Sequence, residues 1–248
     1  MILFVGAGPG DPELITVKGQ RALREADLVL YAGSLVPTAL LQWAKPDAAC
    51  RDSAGMHLEE QIALMAEAHA AGKSVVRLHT GDPSLYGAIG EQMAALDRLG
   101  IPYRVIPGVS SFLAAAAALP AELTLPGVSQ TVIITRCAGR TPVPPGEDLA
   151  VLASHRATMA IFLSAGRLDE TIAALARHYP PDTPAAVVQR ASWPEQKIVR
   201  GTLATIVARA AGIERTAMIL VGEALANEGE ASKLYDRTFS HGYREGQE

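Results

Sequence analysis

With 248 residues, 49% apolar and 19% charged, the chain has far more core-forming material than a disordered segment. A net charge of −4 argues against a nucleic-acid binder that works by neutralising phosphates, so an anionic ligand would need a local cationic patch. The two cysteines, Cys50 and Cys137, have no metal-ligand spacing, so no metal is expected. With no basic leader and no apolar stretch long enough to span a bilayer, the chain reads as cytoplasmic, without membrane or nucleic-acid partners.

The first predicted element is a strand over residues 2–6, an apolar run ending in glycine. Thr16 is placed to cap a helix running to about Ala26, and residues 28–31 form a second strand. A helix over 57–71, a strand over 74–78, a helix over 85–99 and a strand over 103–106 follow. This alternation predicts an α/β fold with an open parallel sheet. A stretch with two prolines and a glycine, 119–130, sets an expected boundary between residues 1–119 and 120–248. The second part has strand-like runs at 131–135, 159–163, 185–189, 197–200 and 217–221, and a helix over 168–178. The Ser-Trp-Pro turn between 185–189 and 197–200 is too short for a crossover, so those two strands should be antiparallel.

Ligands of open α/β sheets bind beyond the carboxyl ends of the strands. Glycine- and proline-bearing turns fall there three times: Gly6-Ala-Gly8-Pro9-Gly10-Asp11, Gly81-Asp82-Pro83 and Pro107-Gly108. The first is not a dinucleotide fingerprint, because Asp11 replaces the third glycine and no acidic residue follows the second strand. Neither a phosphate-cradling Gly-Lys-Ser/Thr nor a Gly-x-Ser-x-Gly elbow occurs. Asp82 reads either as a turn carboxylate or as a polar group beside a ligand, and His79 as a structural strand-end histidine. Arg136 and Arg140 follow a strand and carry forks suited to carboxylates, against the alternative of solvated loop charges.

These residues carry a resemblance. The run from Val5 to Gly19, the run Arg77-Leu-His-Thr-Gly-Asp-Pro-Ser-Leu-Tyr-Gly87 and the run Val105-Ile-Pro-Gly-Val-Ser-Ser111 are similar to the three signatures of the tetrapyrrole (corrin/porphyrin) methyltransferases, with agreeing spacing. The resemblance implies two α/β domains, S-adenosylmethionine held between them, a small-molecule tetrapyrrole substrate and a homodimer. It assigns Pro9, Gly81, Asp82, Leu85, Ser110 and Ser111 to the cofactor, and, in the second domain, Leu163, Ala191, Thr216 and Ala217 to the enclosure of its adenine. Tyr31-Ala-Gly-Ser-Leu-Val36 and Thr135-Arg-Cys-Ala-Gly-Arg-Thr141 resemble the branch that methylates a precorrin at C-11, more than the uroporphyrinogen-III branch. Diphthine synthase, whose substrate is a protein, and a non-catalytic tetrapyrrole carrier are the competing readings. The chemistry demands no strong acid or base at the methyl-transfer step, so no catalytic residue is nominated; Tyr86, Arg51, Arg136 and Arg140 are the candidates for positioning the macrocycle.

Overall fold

The structure is a computed structural model and describes residues 1–247. It forms two compact units. The first comprises Met1–Ala114 and Arg190–Glu195; the second comprises Ala115–Gln189 and Gln196–Glu248. The division falls at Ala114/Ala115, five residues before the boundary expected from the proline-rich stretch, and inside a helix. A run of eight residues with five consecutive alanines continues the helix through that point, so the prolines mark its end and not the division between units.

The first unit is built on a five-stranded parallel sheet in the order β3-β2-β4-β1-β5. Its strands are β1 (Ile2–Gly6), β2 (Leu28–Tyr31), β3 (Ala49–Asp52), β4 (Val75–His79) and β5 (Tyr103–Ile106). Strand β3 lies at the edge, partly exposed, with sequence Ala-Cys-Arg-Asp, which has no apolar run to announce it. Side-chain alternation gives the sheet two cores. Val5, Val29, Val76 and Leu78 pack on one face with Ala22 and Leu23 of α1 (Val17–Glu25). Ile2, Phe4, Leu28, Leu30 and Val75 pack on the other with α2 (Leu58–Ala70) and α3 (Ile89–Arg98). Each fully buried Leu, Ile or Phe contributes roughly 1.5–3 kcal/mol. Thr16 caps α1 by accepting the Gly19 N–H at 3.1 Å.

The helix expected from residue 85 starts only at Ile89. Tyr86 (φ 56°) and Ala88 (φ 49°) are left-handed, a conformation that a right-handed helix cannot include. Residues 82–88 are therefore a loop at the end of β4.

The second unit has a five-stranded mixed sheet in the order β6-β7-β10-β8-β9. Here β6 (Val132–Arg136) and β7 (Thr158–Phe162) are parallel, whereas β10 (Ala217–Val221) runs antiparallel to both β7 and β8 (Pro184–Gln189). Strand β9 (Lys197–Thr202) pairs antiparallel with β8, as its short turn requires. Met159, Ile161, Val187 and Ile219 pack against Leu149 and Ala153 of α5 (Leu149–Ala153) and Leu168, Ile172 and Leu175 of α6 (Leu168–Leu175). Helix α4 (Ser111–Ala118) carries the chain through the division, and α7 (Ile206–Arg209) adds Ile206 to the core of the second unit.

Candidate cofactor and substrate site

Strand order locates the crevice in the first unit. β1 and β4 are neighbours, but β1 leads to α1 on one face and β4 leads to α3 on the other. Their connections diverge, so a gap opens at their carboxyl ends, the topological switch point of an open α/β sheet. The three glycine-bearing loops meet at this point.

Their junction is made by backbone. Gly81 donates its N–H to the Gly8 carbonyl at 2.8 Å and accepts the Gly8 N–H at 3.3 Å, a short antiparallel bridge across the gap. A Cβ on Gly108 would lie 2.2 Å from the Gly81 carbonyl oxygen and 2.7 Å from Gly6 Cα, so no side chain fits there. Gly81 differs: a Cβ there would meet nothing closer than 3.7 Å, but its φ of +61° is one that L-residues resist. Asp82 ties the set together, one carboxylate oxygen accepting the Gly108 N–H at 2.9 Å and the other the Ser84 N–H at 2.8 Å. Its side chain thus builds the rim, the turn-carboxylate reading taken one step further, since one of its bonds spans two loops.

Pro9, Gly81, Asp82, Leu85, Ser110 and Ser111 all sit on this rim. Ser110 is buried and accepts the N–H of Ala114 at the start of α4. Tyr86 is 43% exposed in its left-handed conformation. Arg51 is exposed near the end of β3 and donates to the Cys50 carbonyl at 3.3 Å. Next to it, Asp52, which the sequence did not single out as a site, accepts the N–H groups of Gly33 and Ala54, both at 2.8 Å. These bonds hold its carboxyl below the usual range and fix the 32–36 loop.

Below the rim are two buried polar side chains. Arg77 donates to Gln92 Oε1 and the Leu30 carbonyl, both at 3.3 Å, with its pKa lowered by burial to about 10. His79 stacks at a tilt 5.8 Å from Phe4, and its Nε2 has no hydrogen-bond partner among the described residues. Desolvation first and the Arg77 charge second lower its pKa to about 3, so it is neutral at physiological pH and acts as packing.

In the second unit, sheet register gathers Arg136, Leu163, Thr216 and Ala217 at one end. Arg136 pairs with Phe162, the residue before Leu163, and Ala217 pairs with Gln189 at the end of β8. Two non-glycine residues at this end are left-handed, Leu163 (φ 54°) and the β-branched Thr216 (φ 52°). Such conformations cost about 1–3 kcal/mol each and cluster at ligand sites. Leu163 is also 74% exposed, leaving an apolar side chain in water. An apolar ligand face would relieve that exposure.

Arg136 donates to the carbonyls of Cys137 (3.1 Å), Thr141 (2.9 Å) and Pro142 (2.9 Å). Its guanidinium therefore holds the loop that carries Arg140, which is itself exposed. The backbone N–H of Cys137 donates to Ser164 Oγ at 2.9 Å and Arg167 bonds the Ala138 carbonyl, so the base of this loop is pinned on both sides.

Ala191 belongs to the segment Arg190–Glu195, which groups with the first unit, where Trp193 Nε1–H donates to the Pro9 carbonyl at 2.8 Å and Ser192 Oγ accepts the Asp11 N–H at 3.0 Å. Sequence reasoning missed Trp193. The available signal was a tryptophan, one of two in the chain, inside a Ser-Trp-Pro turn.

The rim of the first unit offers closely approachable backbone and small or apolar side chains, which fit the zwitterionic portion of S-adenosylmethionine. The end of the second unit's sheet, taken by itself, offers the strained, exposed Leu163, which suits a flat apolar group. No group of three or more His, Cys, Asp or Glu among the described residues is arranged to hold a metal, and no helix among them is long and apolar enough to cross a membrane.

Comparisons with known proteins agree with this chemistry. The family described as Tetrapyrrole (Corrin/Porphyrin) Methylases matches residues 1–207. A cobalt-precorrin-4 C(11)-methyltransferase of Methanocaldococcus jannaschii is 55% identical over 247 residues, spanning 98% of this chain and 95% of the relative. A precorrin-4 C(11)-methyltransferase of Pseudomonas aeruginosa is 53% identical over 249 residues, 99% of both chains. Among solved structures, a cobalt precorrin-4 methyltransferase superposes with a TM-score of 0.88 at 50% identity, covering 90% of this chain and 95% of the other. A uroporphyrin-III C-methyl transferase from Thermus thermophilus in complex with S-adenosyl homocysteine gives 0.77 at 32% identity, covering 93% of this chain and 95% of the other. With three glycine signatures meeting at one crevice and relatives matched over nearly its whole length, the chain belongs to the tetrapyrrole (corrin/porphyrin) methylases.

Proposed function

We propose that this protein transfers a methyl group from S-adenosylmethionine to C-11 of precorrin-4, giving precorrin-5 in corrin-ring biosynthesis, and that it works in the cytoplasm as a homodimer. The observation that carries the reading is the backbone junction of Gly8, Gly81 and Gly108 at the switch point, built from the three signature loops. When bound, the cofactor supplies a methyl group already activated on a sulfonium sulfur.

The protein's part is placement. C-11 of a reduced tetrapyrrole is enamine-like, so holding it in line with the methyl group supplies the rate, through proximity and orientation. Pro9, Gly81, Asp82, Leu85, Ser110 and Ser111 are assigned to the methionine and ribose portions. Leu163, Ala191, Thr216 and Ala217 are assigned to the adenine. Tyr86 and Arg51 orient the macrocycle, and Arg140 takes a peripheral carboxylate, with Arg136 holding its loop. His79 is a poor base, because burial and the Arg77 charge lower its pKa to about 3.

Similarity of 55% and 53% to relatives named for the cobalt-bearing and the metal-free substrate favours neither form. The test is incubation with methyl-labelled S-adenosylmethionine and each form of precorrin-4, followed by mass analysis and location of the label. Label at C-11 of either form is expected; no methylated product from either refutes the activity. Sedimentation at working concentration tests the dimer.

A further inference from the structure

The segment Arg190–Glu195 leaves the second sheet after β8 and packs on the glycine-rich loop of the first unit. Two of its residues, Arg190 (φ 49°) and Ser192 (φ 69°), are left-handed without being glycine, so the segment is held in a conformation it would not choose alone. Side-chain contacts fix it to that loop. The Trp193 indole N–H donates to the Pro9 carbonyl at 2.8 Å, and Ser192 Oγ accepts the Asp11 N–H at 3.0 Å. The pyrrole part of the Trp193 ring also closes on Gly10, where a Cβ would lie 2.0 Å from Cδ1 and 2.2 Å from Nε1. The Arg190 guanidinium carbon lies over the ring, 5.7 Å from its centroid, and Arg190 Nη1 is 3.7 Å from the Glu195 carboxylate.

Each bond ends on a loop residue beside the junction, and Ala191 lies two residues from the indole. We propose that Trp193 is a positioning residue for the methyl donor: it sets the Pro9–Gly10 backbone and Ala191 together in the geometry that the cofactor binds. This rests on the cofactor assignment made above. Indole is suited to the task, because one rigid side chain supplies both close packing against Gly10 and a directed donor to a carbonyl.

The test uses full-length protein and S-adenosylhomocysteine, measured by calorimetry, with melting of the ligand-free protein alongside. Trp193→Phe keeps the ring and deletes the donor; its dissociation constant should rise about threefold to tenfold, as expected for one hydrogen bond. Trp193→Ala should raise it by tenfold or more. Gly10→Ala displaces the ring while leaving residue 193 a tryptophan, and should behave like Trp193→Ala. The Michaelis constant for the tetrapyrrole should change less than twofold in Trp193→Phe. In a Trp43→Phe background Trp193 is the remaining tryptophan, and its emission should shift on titration with S-adenosylhomocysteine, saturating at the calorimetric constant.

Unchanged affinity in Trp193→Phe, whatever its melting temperature, or an emission spectrum indifferent to the ligand, would make Trp193 a strut only and overturn the proposal. If the unmodified protein binds no S-adenosylhomocysteine, the cofactor assignment falls and this proposal falls with it. If it binds and Trp193→Phe binds equally well, only the role of Trp193 is wrong.

Discussion

Asp82 and Gly108 are 26 residues apart in sequence, yet the Asp82 carboxylate accepts the Gly108 N–H at 2.9 Å and so joins the loop after β4 to the loop after β5. Its other oxygen holds Ser84. A signature aspartate therefore acts first as a builder of the rim, and its effect on the ligand passes through backbone.

Asp82→Ala removes both acceptors and should cost about 2–3 kcal/mol, the scale of bonds to an ionised group. That corresponds to a melting temperature lower by roughly 4–12 °C for a chain of this size. Affinity for S-adenosylhomocysteine should fall in the same variant, while Asp82→Asn, which keeps one acceptor, should lie between. A variant that melts normally but binds poorly would mean Asp82 serves the ligand directly.

The glycines separate into two kinds. Gly108→Ala puts a Cβ 2.2 Å from a carbonyl oxygen with backbone on both sides, so the loops must part; it should yield protein that is unfolded or markedly destabilised. Gly81→Ala has ordinary contact distances and only the positive φ to overcome, about 1–3 kcal/mol, so it should fold and bind the cofactor weakly. Circular dichroism melts and calorimetry of both variants check this. Equal behaviour would show that crowding at Gly108 is relieved by movement of its neighbours.

His79 gives the protein a pH dependence. Its pKa is lowered from 6.5 to about 3, so between those values the unfolded chain binds a proton that the folded chain does not. Stability from this group is fully present above pH 6.5 and is lost as pH falls towards 3, with a slope of at most about 1.4 kcal/mol per pH unit. His79→Leu should flatten urea-unfolding stability against pH over that interval. Parallel profiles for the two proteins would show that the histidine is protonated in the fold.

Leu163 sets strain against binding. Leu163→Gly relieves the left-handed strain but loosens the unfolded chain, effects of about 1 kcal/mol each in opposite directions, so the melting temperature should hold within about 2–4 °C. Cofactor affinity should drop about tenfold, since burying a leucine side chain is worth about 1.5–3 kcal/mol. Unchanged affinity would remove Leu163 from the site.

Arg136 and Arg140 should differ in how they fail. Arg140→Ala should raise the Michaelis constant for the tetrapyrrole about tenfold with cofactor affinity unchanged, and Lys should rescue partly because it keeps the charge and loses the fork. Arg136→Ala should raise it too, but Arg136→Lys should rescue little, since an ammonium cannot span the three carbonyls that Arg136 holds. Steady-state kinetics with both substrates varied decides it; unaffected tetrapyrrole kinetics in both alanine variants would leave Arg140 a solvated loop charge and Arg136 a brace for its own loop.

The sequence by itself determined the signature loops and most strands, because parallel strands buried on both faces must be continuous apolar runs and the turns beyond them need glycine or proline. It also determined the antiparallel pairing of β8 and β9, since a turn of that length permits nothing else. It did not reveal β3, whose edge position leaves Ala49–Asp52 without an apolar pattern, nor the delay of α3 to Ile89, which depends on left-handed Tyr86 and Ala88. Tertiary structure alone decided that Asp82 bonds Gly108, that Arg136 turns back onto its own loop, and that Trp193 bonds Pro9. Each joins residues distant along the chain, or resolves a choice between equally available acceptors. Local propensity carries no term for such choices; they are settled only when strand order brings the partners within hydrogen-bonding distance.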